Sequence, residues 1–299
     1  MQNMKTTFTK PAGLLLALTL GAAVAANSQT IYSNNAVPAN AEIYGAGNAG
    51  LPDGGGVPPV EFKLPANATV LSMLSVTGII TFNNGTGHND ADGSIVSGGY
   101  YGPTLDGTTG YSVAGDYGGI SGITMPGAGA LVGVFASADA PTGAPPTSLD
   151  FTSIGTAFTN LSPAPYQTFF IGDGQTGDGS GAVQQFLVPA GASRLFLGIS
   201  DAPGFCGSPG AYDDNFGTFT VSFQVLTVEP VEIQSSHLSG TNFIFSFQTV
   251  ANQSYTVLST TNLASGTWTT NTTFIGDGTL KQLNVPSTKE VEFFRIREP

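Results

Sequence analysis

The chain is nearly without cysteine, poor in positive charge, poor in histidine and free of helix-period patterning after its first thirty residues. One cysteine among 299 residues, Cys206, rules out an internal disulfide. A chain of this length can bury a sufficient core without one. The thiol reads as a small loop residue, or else as one half of an intermolecular pair. Only two histidines are present, His88 and His237, and no Ser or Cys nucleophile arrangement forms around them. No basic residue neighbours Cys206 to lower its pKa. Eight Lys and Arg stand against 20 Asp and Glu, a net charge of −12. The imbalance is sharpest in residues 27–226, where Lys63 and Arg194 face 14 acids. Such a surface repels phosphate backbones, so neither nucleic acid nor an anionic membrane is expected as a partner.

One long apolar run exists, "GLLLALTLGAAVAA", preceded by Lys5 and Lys10 and ending on the small residues Ala23, Ala25 and Ala26. A positive start, a short apolar core and small residues at its end read as a signal peptide, residues 1–26. No later run approaches the ~18 residues of a membrane span, so no membrane insertion is expected and the mature protein is placed outside the cell or on its surface.

What the chain does contain is Gly and Pro, 41 and 19 of them, separating many short β-branched and aromatic runs. That pattern predicts an all-β protein. In "TFTVSFQV" Phe219, Val221, Phe223 and Val225 fall on one face, and in "NFIFSFQ" Phe243, Phe245 and Phe247 do the same, as half-buried strands require. "RLFLGIS", 194–200, is apolar on both faces and reads as a central strand. Composition shifts from Gly-rich and acidic to Thr/Asn-rich near 227–238. The predicted organisation is a β-sandwich over 27–226, a linker over 227–238 and a small β-sandwich over 239–299. "FIGDG" occurs at 170–174 and at 274–278, and Asp-Gly there suggests a hairpin turn.

The stretch "SDAPGFCGSPGAYDDNFGTFTV" concentrates the unusual chemistry. Asp201 opens a loop of Gly, Pro and small residues, and Asp213, Asp214 and Asn215 close it. If 194–200 and 218–225 are neighbouring strands, about 5 Å apart, their roots bring Asp201 and Asp214/Asn215 together. Two carboxylates so placed need a counter-charge. Asp and Asn oxygens with backbone carbonyls suit Ca²⁺ rather than a transition metal. A plain Asp/Asn turn is the other reading.

The segments "AEIYGAGNAG", "ATVLSMLSVTGIITF", "GALVGVFA" and "FFIGDGQTGDGSGAVQQFLVPAGASRLFLGISDAPG…YDDNFGTFTVSF" resemble the galactose-specific, calcium-dependent lectin family typified by the PA-IL bacterial lectin. They are closer still to Gly-rich secreted proteins of the PEP-CTERM type. The resemblance spans residues 41–225 and implies a jelly-roll-like sandwich of the galactose-binding type. It implies Ca²⁺ ligands at Asp201, Asp214 and Asn215 and at the carbonyls of Phe82 and Ala211. It also implies carbohydrate contacts at Asp201, Ala202, Asp214 and Asn215, with two sugar hydroxyls completing the cation's shell. The chain departs from the family in three ways. "GFCGSP" is inserted after Asp201-Ala-Pro, Asp214 replaces an amide, and the family's sugar-gripping His and Gln have no counterpart, with 105–119 in their place. The C-terminal region resembles a small β module found on many secreted bacterial proteins.

The remaining constellations point to turns. "HNDADGS", 88–94, fails the EF-hand register, because its twelfth position is Gly99. "GDGQTGDGSG", 172–181, has neither the helix nor the cation a phosphate cradle needs. Tyr100, Tyr101, Tyr111 and Tyr117 could stack on sugar rings or fill a sandwich edge. The sequence thus predicts a secreted, calcium-dependent carbohydrate-binding protein without enzymatic activity, with exopolysaccharide as a candidate ligand. The alternative is a surface or matrix protein in which calcium only stabilises the 201–217 loop.

Overall fold

The computed structural model describes residues 6–9, 28–50, 54–81, 88–97, 112–177, 179–227, 231–251, 253–287 and 289–297. The protein is all-β and divides into two compact units. One comprises Gln29–Thr227, the other Val228–Pro299 with Met1–Ser28.

In the larger unit, strand Arg194–Ile199 pairs antiparallel with Leu131–Ala136 and with Val60–Lys63, and Thr168–Phe170 extends that sheet beyond Leu131–Ala136. Alternation explains its central place. Leu195, Leu197 and Ile199 enter one core with Leu131 and Phe135, while Phe196, Val132 and Val134 enter a second. A strand apolar on both faces has to lie between two layers. The first core is closed by a larger sheet built on Ala68–Thr77 and Phe216–Thr227, whose inward residues are Leu71, Met73, Phe219, Val221, Phe223 and Val225. The second core is closed by a small sheet of Leu149–Asp150, Ile123–Met125, Ser112–Ala114 and Cys206–Gly207. The unit is thus a sandwich with a further small sheet on one outer face.

The hairpin expected to join 194–200 to 218–225 does not form. Arg194–Ile199 spends both edges on Leu131–Ala136 and Val60–Lys63, and Phe216–Thr227 belongs to the opposite sheet. Residues 200–215 therefore cross from one sheet to the other. The two "FIGDG" turns behave alike. Thr168–Phe170 and Gln185–Leu187 lie in different sheets, as do Thr269–Ile275 and Leu280–Pro286. Asp277 instead accepts hydrogen bonds from Thr279 N (3.0 Å) and Thr279 Oγ1 (2.7 Å), a local turn rather than a two-residue hairpin loop.

The smaller unit has two sheets. Ile233–Ser239, Asn242–Gln248 and Leu280–Pro286 form one, and Val291–Arg297, Ser254–Thr260 and Thr269–Ile275 with Thr6–Thr9 form the other. Phe243, Phe245 and Phe247 project from the first sheet onto Tyr255, Val257 and Phe294 of the second, as their period of two predicts. Residues 233–238, expected in the linker, belong instead to the first strand of this unit, because Ser236, His237 and Leu238 pair with Phe245, Ile244 and Phe243. Among the described residues no helix is long and apolar enough to cross a membrane.

Candidate functional site

The crossing segment 200–215 is fastened at its base by one phenol. Tyr212 is 1 % exposed. Its hydroxyl donates to Ile199 O (2.9 Å) and accepts from Asp201 N (3.1 Å). Gly210 N donates to Asp201 O at 3.2 Å. Two chain positions eleven residues apart, Asp201 and Tyr212, are thereby held in one place, although the strands on either side lie in different sheets.

This brings three of the sequence-predicted ligands together. Asp201 is 4 % exposed and Asn215 6 %. Asp201 Oδ1 accepts from Ala202 N (2.7 Å), and Asp201 Oδ2 accepts from Asn215 Nδ2 (3.0 Å). The same amide donates to Ala39 O at 3.2 Å, so all of Asn215's donating capacity is spent and its Oδ1 faces the other way. That Oδ1 is buried with no partner, and so is Asp214 Oδ1. Burial, reinforced by the charge of Asp214, pushes the Asp201 carboxyl up to about 8 despite the two hydrogen bonds it accepts. Asp214 is also raised, by burial first and by Asp213 second. A buried acceptor without a donor costs ~1–3 kcal/mol, more when charged. Two such oxygens on consecutive residues are hard donors of the kind a cation satisfies.

Among the described residues no protein cation does so. Arg194 donates from Nε to Ser137 O and from Nη2 to Asp139 O, both at 2.7 Å, and it pairs with Glu61 at 4.0 Å. Lys63 is exposed, opposite Arg194 in the neighbouring strand. The donor set is a carboxylate pair with an amide, and among the described residues no three His, Cys, Asp or Glu side chains cluster as a metal cage. Any cation here takes part of its shell from carbonyls or from outside the chain.

Ala211, the expected carbonyl ligand, has φ 68° and ψ 29°. A residue with a Cβ pays roughly 1–2 kcal/mol for that left-handed backbone, and such strain gathers at functional sites. Phe82 lies outside the described residues; its neighbour Thr81 pairs with Phe216, the residue after Asn215. Ala202 is corrected. It is 1 % exposed and packs into the second core, so its side chain offers a sugar no surface.

Glu42 escaped the sequence reading. It is fully buried, and neither Oε1 nor Oε2 has a partner. Burial pushes its carboxyl up to about 8. Its backbone bridges to Ile199, and its charge and that of Asp201 both bear on Tyr44 and Tyr212. Three consecutive glycines cover this region. A Cβ on Gly54 would stand 2.4 Å from Ala211 N, one on Gly55 2.7 Å from Asp213 Cβ, and one on Gly56 2.5 Å from Glu42 Oε2. The glycine strap thus reaches from Glu42 to the 210–213 turn. The signal in the sequence was a Glu inside the apolar run "AEIY", in a domain whose acids are otherwise Asp except Glu61.

The other acidic loops are self-satisfied turns. Asp90 Oδ1 accepts from Asp92 N (3.1 Å) and Ser94 N (2.9 Å), and Asp92 Oδ1 accepts from Asp173 N (2.8 Å). The 88–94 turn is thereby bound to the 172–181 loop; Asp178 lies outside the described residues, as do Tyr100, Tyr101 and Tyr111. Tyr117 packs against the second core. Cys206 is exposed and free. Comparison with family models, with curated proteins and with solved structures finds no match to this chain.

Proposed function

We propose that the larger unit is a calcium-dependent carbohydrate-binding module of a secreted protein. The observation that supports this is the pair of buried, donorless oxygens, Asp214 Oδ1 and Asn215 Oδ1, beside Asp201. The residues divide the work. Asp201 supplies a buried charge and is oriented by Ala202 N and Asn215 Nδ2. Asn215 spends its amide nitrogen on that task and leaves its carbonyl oxygen for a cation. Asp214 is more exposed than Asp201, so it is the acid more open to a ligand arriving from solvent. Bound Ca²⁺ takes six to eight oxygens, so it offers positions that neighbouring sugar hydroxyls can fill. The acidic surface favours a neutral glycan, such as an uncharged exopolysaccharide, over an anionic one.

A second reading has calcium only stiffening the 200–215 segment. It is favoured by the depth of Asp201 and Asn215, which places most of the site beneath the surface. One experiment addresses both. With Ca²⁺ at ~100 times its Kd, the unit's melting midpoint is expected to rise by about 5–10 °C over that in chelator. A glycan array in Ca²⁺ is expected to give signals that chelator and Asp214→Ala both abolish. A calcium-shifted midpoint with no chelator-sensitive glycan signal would establish the stiffening role alone. An unshifted midpoint in metal-free protein would overturn both readings.

A further inference from the structure

Strand Phe216–Thr227 opens on a residue that its own pattern does not call for. Phe219, Val221, Phe223 and Val225 enter the core, and the exposed positions between Gly217 and Val221 carry Thr218 and Thr220. Phe216 is exposed like those threonines, at 55 %, yet it carries a phenyl ring. Among the described residues it is the only aromatic side chain left exposed rather than buried or half-buried. Its place is fixed by two connections. It follows Asn215 directly, so the two Cα atoms are one peptide unit apart. It also pairs antiparallel with Thr81, as Gly217 does with Ile80. Ile79, the residue before that strand, is 47 % exposed, and its carbonyl lies against Gly217. Two exposed apolar side chains thus flank the Gly217–Ile80 pair. Thr81 adds a second anomaly. It is 6 % exposed, and its Oγ1 is buried without a partner. With Asp214 Oδ1 and Asn215 Oδ1, three partnerless buried oxygens gather where this strand begins, beside the one exposed ring.

A corner that offers hard oxygens and a flat apolar ring suits a ligand that is itself two-sided. A pyranose has hydroxyls around its rim and C–H groups on its face. A protein partner suits the corner less, since a stable interface covers ~800 Å² per side and the apolar surface here is two side chains among threonines. A nucleobase would stack on the ring but would bring phosphate toward Asp213 and Asp214. We propose that Phe216 is a stacking platform of the glycan site, taking the C–H face of a second pyranose next to the one whose hydroxyls reach the cation. This inference rests on the carbohydrate reading above and adds the size of the ligand. Asn215 is buried and Phe216 is exposed, so one step along the chain leads from the proposed ligand of the cation to open surface. The ligand is therefore at least a disaccharide, neutral, with an unhindered C–H face on its second ring. Stacking on an aromatic face adds affinity without needing a matched hydrogen bond.

The test is an array of neutral oligosaccharides in Ca²⁺. Calorimetric titration follows, with the strongest-binding oligosaccharide and with the methyl glycoside of its terminal sugar. Phe216→Ala and Phe216→Thr, the second matching Thr218 and Thr220, are expected to weaken the oligosaccharide ~10-fold, as loss of one stacking contact does. Both should change the methyl glycoside by less than about twofold, because it does not reach the ring. Ca²⁺ affinity and the melting midpoint should stay at wild-type values, since an exposed side chain of this kind contributes little to stability. Phe216→Tyr keeps the ring and should hold the oligosaccharide affinity within about threefold of wild type. Truncated variants that bind the oligosaccharide as well as Phe216→Tyr does overturn the platform. Equal losses for oligosaccharide and methyl glycoside overturn it too, because the ring would then act on the first sugar. So does a loss of Ca²⁺ affinity, which would make Phe216 part of the cation site's scaffold. All three leave the carbohydrate reading standing. A wild-type chain with no glycan signal overturns that reading, and the platform with it.

Discussion

At the scale of single residues the site is a question of where protons sit. Asp201 and Glu42 are each pushed up to about 8, chiefly by burial. In the unfolded chain both return to the ordinary carboxylate range near 4. Between pH ~4 and ~8 the folded state therefore holds protons that the unfolded state has released. Stability falls as pH rises wherever the folded state binds more protons, by up to roughly 1.4 kcal/mol per pH unit per group. For the metal-free chain we expect the melting midpoint to decline steadily from pH 5 to pH 8 in chelator and to level off above. If the proposed site binds Ca²⁺, saturating Ca²⁺ stabilises the ionised carboxylates and is expected to remove or reverse that slope. A flat chelator profile would show that these acids are compensated within the chain. The sequence made half of this legible. A Gly/Pro loop with acids on both shoulders is visible in any reading, and Asp201 and Asn215 do meet. Glu42 stayed hidden because its meaning depends on burial and on an absent donor, neither of which has a pattern in one dimension. Ala202 was misplaced for the same reason, since a small residue in a polar loop gives no sign that its methyl group enters a core.

At the scale of elements the 200–215 crossing is held by a few short-range devices, and these make sharp predictions. Tyr212→Phe removes one hydroxyl and leaves both Ile199 O and Asp201 N without their buried partner. Each orphaned group costs about 1–3 kcal/mol, so the denaturation midpoint should fall clearly, with the slope unchanged. The glycine strap provides a graded comparison. Gly54→Ala places a methyl 2.4 Å from Ala211 N at φ +137°, whereas Gly204→Ala has φ +63° and nothing within 4 Å. The first substitution adds a backbone clash to conformational strain and should cost several times more than the ~1 kcal/mol of strain alone. Equal effects at 54 and 204 would mean that the strap does not press on the loop. Strands were the most legible elements, because period-two alternation survives in any environment. "TFTVSFQV", "RLFLGIS" and "NFIFSFQ" all bury the faces they advertise. Pairing was not legible. Two strands separated by a 17-residue stretch look like a hairpin on paper, but Arg194–Ile199 already has two better neighbours, and the chain crosses layers instead.

At the scale of the whole molecule, charge and architecture divide together. The acidic excess lies in residues 27–226, which nearly coincide with the larger unit, while residues 227–299 hold 4 bases and 6 acids. Each unit has its own core: two adjoining clusters in one, and a Phe-rich cluster between two sheets in the other. Independent cores predict independent melting, and the residues of the proposed cation site all belong to the larger unit. Calorimetry of the full chain should therefore resolve two transitions, of which Ca²⁺ raises one. The shifted transition should carry the larger enthalpy, because enthalpy scales with the number of residues unfolding, and Asp214→Ala should abolish its shift while leaving the other peak in place. At low ionic strength the same transition should gain from added NaCl, since screening relieves repulsion among the surface acids over a Debye length of ~10 Å at 0.1 M. Calcium and sodium then act on one peak by different routes. The sodium effect should persist in the Asp214→Ala chain, because it arises from the acidic surface at large, and the calcium effect should not. A single cooperative transition moved as a whole by Ca²⁺ would show that the two cores are coupled, and the calcium site would then stabilise the entire chain.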